Sequence, residues 1–154
     1  MAYHVDDPNV GMPLSTNFEK FKMFVADTGL FVTLAFWDKS FTENIIYSKL
    51  LSDKLAANLG YIYENLAAQM LTASGNKLFY HTWKKDEKLY FLISNGTKRC
   101  PIEVKSSGYK THVSLDNFYE KYSKIVAQRY LIYTKDLQKD GNTLLLPFYM
   151  IPFI

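Results

Sequence analysis

Glu103 and Lys105 are the residues whose types and spacing could do chemistry. They stand two apart in the run Arg99-Cys100-Pro101-Ile102-Glu103-Val104-Lys105-Ser106-Ser107-Gly108, which reads as a β-strand. Alternation sends Cys100, Ile102 and Val104 to one side and Glu103 and Lys105 to the other. Metal-dependent cleavage of a phosphodiester needs that geometry: a hard oxygen ligand for the ion beside a cation that orients water or steadies the charged transition state. The same two residues also make sense as an ion pair that orders the strand end and the Ser106-Ser107-Gly108 turn. The partner carboxylate that a metal site needs on the neighbouring strand is missing from the pattern.

Other groups with chemical potential are scattered. His4, His81 and His112 have no metal-ligand spacing. Cys100 is the one cysteine, so no internal disulfide forms, a reducing cytoplasm is the expected compartment, and its strand position suits a small buried apolar group. No nucleophile-elbow sequence accompanies a Ser, His and Asp set. Lys84, Lys85, Arg99, Lys105 and Lys110, with Trp83 and Tyr109 nearby, could form a basic and aromatic rim for a phosphate backbone, although cations in such a loop region are more often just a solvated surface. A net charge of +3 and a pI of about 8.8 are compatible with nucleic acid but far from a polycationic binder.

The elements that must position these groups follow from periodicity. The chain has 154 residues, 48% hydrophobic and 16% aromatic, which is ample for a core and argues against disorder. Residues 1–20, with Pro8, Gly11 and Pro13, read as an extended arm or linker. Residues 21–52 read as a helical extension, with a break at Asp27-Thr28-Gly29 and a short helix over Thr42 to Leu51. Residues 53–154 read as an α/β domain. Asp53 is the expected N-cap of a helix running to Ala73, with Leu55, Leu59, Ile62, Leu66 and Met70 at helical spacing and Gly75-Asn76 at its end. Glu64 falls at the border of its apolar arc.

Strands are expected over Lys77 to Trp83, over Lys88 to Ser94, and through Glu103 after an Asn95-Gly96 hairpin turn. Ser114 is the expected cap of a helix with Leu115, Phe118, Tyr119 and Tyr122 inward. Strands then follow over Arg129 to Thr134 and Leu144 to Met150, separated by a Gly141-Asn142 turn. The order predicts an α/β fold with a mixed central sheet flanked by helices. The strand after the second helix should enter beside an earlier one by a right-handed crossover. No leader pattern and no membrane span are expected: Lys22 and Asp27 interrupt the apolar stretch from Phe21 to Trp37, and the run from Leu144 to Ile154 is too short and carries Pro147 and Pro152. The chain opens without a lead-in and stops inside an apolar run, as an excised domain would.

That order, with a Glu in the first helix and Glu-x-Lys in the third strand, resembles the PD-(D/E)XK nuclease-like core, an αβββαβ arrangement of restriction-endonuclease type. Five segments carry a closer resemblance: Phe21 to Leu30, Tyr63 to Gln69, Pro101 to Tyr109, Ser114 to Phe118 and Leu146 to Met150. In this order they resemble the C-terminal domain of bacterial and archaeal predicted AAA-type ATPases, a domain of unestablished function. The resemblance implies a fragment of a longer protein whose ATP-binding part lies elsewhere, since no Gly-x-x-x-x-Gly-Lys-Ser/Thr loop occurs here; ATP would bind only in that part.

The resemblance further implies that Glu103, helped by Glu64, would hold Mg²⁺ and that Lys105 would position the attacking water. Where the family has a Glu-Ile-Asp-Phe-like run, this chain has Lys88-Leu89-Tyr90-Phe91, so a phenol replaces the metal-binding carboxylate; Asp86 and Glu87 lie nearby but out of register. The expected function is therefore a degenerate, non-catalytic domain of a cytoplasmic ATPase, serving recognition or assembly with its own ATPase part or another protein. Two alternatives stand beside it: a metal-dependent nuclease with a rearranged site, and a nucleic-acid-binding module in which Lys84, Lys85, Arg99 and Lys110 contact phosphates. The degenerate reading requires Glu103 and Lys105 to project together from a β-edge. A Glu103 turned into the interior, or an Asp86 completing an ion cage, would count against it.

Overall fold

The computed structural model describes residues 1–35, 37, 48, 59–83, 88–106 and 109–154. The short helix expected over Thr42 to Leu51 and the Asp53 cap lie outside them. Residues 1–20 are more than the arm expected from their prolines and glycine. They hold β1 (Ala2–Val5) and most of β2 (Thr16–Lys22), which pair antiparallel. Pro8, Gly11 and Pro13 belong to the connection between two strands. Ala2, Val5 and Met12 anchor this hairpin by burial.

Asp27-Thr28-Gly29 is a helix start. The Asp27 carboxylate accepts the Leu30 N–H at 2.8 Å, capping α1 (Thr28–Ala35). The second helix, α2 (Leu59–Ala73), ends as its Gly75-Asn76 sequence predicts. The Asn76 N–H bonds the Leu71 carbonyl at 3.1 Å and the Gly75 N–H bonds that of Thr72 at 2.9 Å, with Gly75 at φ +85°.

Three antiparallel strands follow: β3 (Phe79–Trp83), β4 (Lys88–Asn95) and β5 (Lys98–Val104). Asn95 pairs with Lys98, so the hairpin loop is Gly96-Thr97, one residue later than expected, with Gly96 at φ +59°. In α3 (Val113–Tyr122), Leu115, Phe118 and Tyr122 are buried as their spacing predicts. Ser114 is not the cap; it is buried within the first turn, and His112 holds the cap position without a side-chain bond. The remaining strands are β6 (Arg129–Tyr133), β7 (Gln138–Asp140) and β8 (Thr143–Pro147). Beyond Pro147, residues Phe148–Phe153 form a 3₁₀ helix rather than continuing the strand.

Among the described residues the eight strands make one mixed sheet in the order β2-β1-β3-β4-β5-β6-β8-β7. The strand after α3 does enter beside β5, and parallel to it. Helices cover opposite faces. On one, Ala67, Ala68 and Leu71 of α2 meet Phe91, Cys100, Ile102, Ile132 and Leu146. On the other, Phe118 and Tyr122 of α3 meet Val5 and Leu92, and Leu115 meets Leu131, Tyr133 and Leu145.

Candidate functional site

The strand that carries Glu103 is central, with β4 on one side and β6 on the other. Its alternation is as predicted: Cys100 and Ile102 join the α2 face, and Glu103 turns to the α3 face. Glu103 is level with Leu131 of β6. Continuing the Phe91–Ile102 pairing by one residue sets Tyr90 at the register position opposite Glu103, and Tyr90 in turn pairs with His81. One row across the sheet therefore holds His81, Tyr90, Glu103 and Leu131.

The exposed β-edge that the degenerate reading requires is not found; Glu103 turns inward, which is the outcome set against that reading. Glu103 is 5% exposed. It is accompanied by Lys105, whose Nζ lies 3.7 Å from Oε1. That ammonium also donates to the Thr111 carbonyl, and the Lys105 N–H bonds the Ile132 carbonyl at 2.9 Å. The motif thus ties the end of β5 both to β6 and to the connection leading into α3.

Glu64 stands elsewhere. It lies on α2, which packs against the Cys100/Ile102 face, whereas Glu103 lies on the opposite face. The structure does not bring the two carboxylates together. Burial raises the Glu64 pKa above the ordinary value, and the nearby Lys22 partly offsets that. Raised folded-state affinity for a proton means that the charged form weighs against folding once the pH exceeds the folded-state pKa. That burden lifts as pH falls toward the unfolded value. Glu64→Gln should therefore raise thermal stability at neutral pH, and the difference from the parent should vanish in acid below 4.5. Melting curves of both proteins across that range check it.

The basic rim is only partly gathered. Lys84 and Lys85, like Asp86 and Glu87, lie outside the described residues. Lys110 is exposed. Arg99 is 8% exposed. Its Nη1 donates to the Thr97 carbonyl at 2.8 Å and its Nη2 to that of Val10 at 3.3 Å, fastening the β1–β2 connection to the β4–β5 hairpin. This is a structural task, not the presentation of a guanidinium to a phosphate backbone. Tyr109 packs edge-on against Tyr133 at 5.2 Å.

Glu103 holds the Lys105 ammonium, Glu64 is across the sheet, and among the described residues no three His, Cys, Asp or Glu side chains group as metal ligands. Cys100 is buried, and burial pushes its thiol pKa up, the opposite of activation.

Several polar residues emerge that spacing does not reveal. His4 and His81, far apart in sequence, stack at 5.6 Å because β1 and β3 run parallel side by side. His81 Nδ1 donates to the Val5 carbonyl at 2.7 Å, and burial lowers its pKa. Asn65 and Gln69, one turn apart on α2, clamp the chain that leads into α1. Asn65 accepts the Val25 N–H at 2.8 Å and donates to the Val25 carbonyl at 3.0 Å. Gln69 accepts the Thr28 N–H at 2.9 Å. Arg129 pairs with Asp116 at 2.6 Å and lies over the Tyr119 ring, fixing α3 to β6. An acidic residue one turn into a helix is an available signal, but its partner follows only from the topology.

The fold and this site define a mixed α/β domain with a buried Glu-x-Lys pair on a central strand. Residues 59–151 match the family described as "Domain of unknown function (DUF4143)", and the chain belongs to that family. No curated protein and no solved structure matches it. Among the described residues no helix is long and apolar enough to cross a membrane.

Proposed function

We propose that the chain is a non-catalytic recognition or assembly domain of a cytoplasmic AAA-type ATPase, built on a degenerate restriction-endonuclease-like core. The observation that carries this reading is the mutual engagement of the motif. The Lys105 ammonium lies 3.7 Å from the Glu103 carboxylate and is anchored on the Thr111 carbonyl, so the inward turn of Glu103 that would count against the reading is met by a paired cation. An acid and an amine held in this way stabilise one another and the sheet; they are not poised to hold an ion and orient a water. The order of helix, three antiparallel strands, helix and parallel strand, with Glu-x-Lys on the third of those strands, supports the nuclease-like ancestry. Membership of a family without an assigned activity is compatible with a domain that acts through a partner.

The test is direct. Purified chain is incubated with plasmid, single-stranded DNA and RNA in Mg²⁺ and in Mn²⁺. The expected result is no cleavage above buffer, with Glu103→Ala giving the same trace. Cleavage that Glu103→Ala abolishes would overturn the reading in favour of a nuclease with a rearranged site. Added in trans to the ATP-binding part of a family ATPase, the chain should co-elute with it; separate elution counts against assembly.

A further inference from the structure

His81 sets an imidazole into the apolar contact between α3 and the sheet. It is 7% exposed. Its ring meets those of Phe118 and Tyr122 in a T-shape, with centroids 5.9 and 6.0 Å away. Those two side chains pack with Val5, Met12 and Leu92, the cluster that holds α3 in place. His81 also stacks on His4 of β1 at 5.6 Å, the ring planes 26° apart. A carbonyl only accepts, so the Nδ1 that bonds Val5 carries the proton of the neutral ring.

The two histidines are not equivalent. His4 Nδ1 lies 2.9 Å from the Asp6 carboxylate and its Nε2 3.2 Å from the Thr82 hydroxyl, so a charge on His4 has a partner. Among the described residues no carboxylate bonds His81. The groups acting on it are His4 from β1, Lys121 and Tyr122 from α3, and Asp7 from the β1–β2 connection. On β4, Tyr90 holds the paired register position. Asp7 is the acid of this set, and it is engaged by the Asn9 N–H and Nδ2. Burial lowers the His81 pKa, the Val5 bond partly offsets that, and His4 and Lys121 lower it further.

We propose that His81 is a proton-sensitive fastener: the neutral ring seats α3 on the sheet, and the imidazolium releases it while β1 stays paired with β3. The Val5 bond survives protonation, because Nδ1 remains a donor. What the proton adds is a positive charge among Phe118, Tyr122 and a second imidazole. Above the ordinary value of 6.5 the ring is silent. As the pH falls below it, a chain with α3 detached takes up a proton that the docked state refuses. Docking weakens until the docked-state pKa is passed and then levels off. Glu64 acts with the opposite sign, its burden lifting in acid.

Amide exchange of the whole chain, corrected for intrinsic rates, is compared at about pH 8 and about pH 5, a span that covers histidine titration. Protection over Leu115 to Tyr122 should fall by about tenfold relative to Phe91 to Ile102, the equivalent of one pK unit. His81→Gln keeps a donor for the Val5 carbonyl and does not titrate, so it should erase that relative fall whatever it does to overall stability. No fall, an equal fall in β4 and β5, or a parental pH response in His81→Gln would each overturn the proposal. The parent alone supplies a further check: His81 ring resonances that titrate at 6.5 would overturn it too.

Discussion

Lys105→Met should lower the unfolding free energy by about 3 kcal/mol, because it takes the paired ammonium away from a buried carboxylate. The Glu103 side chain is 6% exposed and the Lys105 side chain 16% exposed, so water can do little to replace the missing ammonium. The same substitution removes the bond from Nζ to the Thr111 carbonyl, loosening the connection into α3. The double variant Glu103→Leu/Lys105→Met separates the two effects. Replacing both members of a buried pair by apolar groups is often close to neutral, so the double variant should regain most of the loss, to within about 1 kcal/mol of the parent. Urea titrations of the parent, both single variants and the double variant give the coupling directly. If Lys105→Met unfolds at the parental midpoint, the pair does not hold the sheet end, and the main support for a structural rather than catalytic motif is gone. A double variant as unstable as the single one would place the loss in the Thr111 contact instead.

The second half of the fold was legible because its signals are local. Alternation over 91–104 sorts Phe91, Ile93, Cys100 and Ile102 to one helix-covered face and Leu92 to the other, and the spacing of Leu115, Phe118 and Tyr122 follows from one helix burying one face. The first part was misread because propensity and topology disagree there. Pro8, Gly11 and Pro13 signal an arm when read locally. They serve a strand connection because Tyr3 and His4 pair onto β3, more than 70 residues downstream. The Asp27 cap was written in the sequence, as an Asp three residues before an exposed N–H in an apolar run, and was mistaken for a break because a cap and a break share the same residue types.

The site divides in the same way. That Glu103 and Lys105 share a face follows from a period of two and holds. Whether that face lies at an edge or beneath a helix depends on strand order, which no local pattern encodes; β5 proved central and its carboxylate buried. The separation of Glu64 from Glu103 has the same origin. A helix residue can be assigned to a helix face, but the sheet face that the helix covers is decided by the connection, here one that sets α2 on the Ile102 side. Arg99 looked like a surface cation because arginine usually is one. Its burial depends on the carbonyls of Thr97 and Val10 converging, and the second of these comes from the hairpin that was misread.

Asn65→Asp should destabilise the chain by about 2–4 kcal/mol, although the side chains are nearly the same size. Asn65 is 2% exposed and works as a backbone surrogate: Oδ1 accepts the Val25 N–H, and Nδ2 donates to the Val25 carbonyl and to Thr28 Oγ1, both at 3.0 Å. The substitution keeps the acceptor, removes both donors, and points a buried negative oxygen at a carbonyl. Asn65→Ala loses all three bonds but adds no charge, so it should be the milder change, at about 1–3 kcal/mol. The order of the two variants is the informative quantity. A simple packing role predicts alanine to be worse; a bonding role predicts aspartate to be worse. Hydrogen exchange localises the effect. The Val25 amide should lose protection in Asn65→Ala, which removes its acceptor, whereas the Thr28 amide should keep more of its protection because Gln69 holds it from the adjacent turn. Amides of β4 and β5 should keep their parental protection until global unfolding. Unchanged Val25 exchange in Asn65→Ala would mean that the clamp is not what fastens the start of α1 to α2.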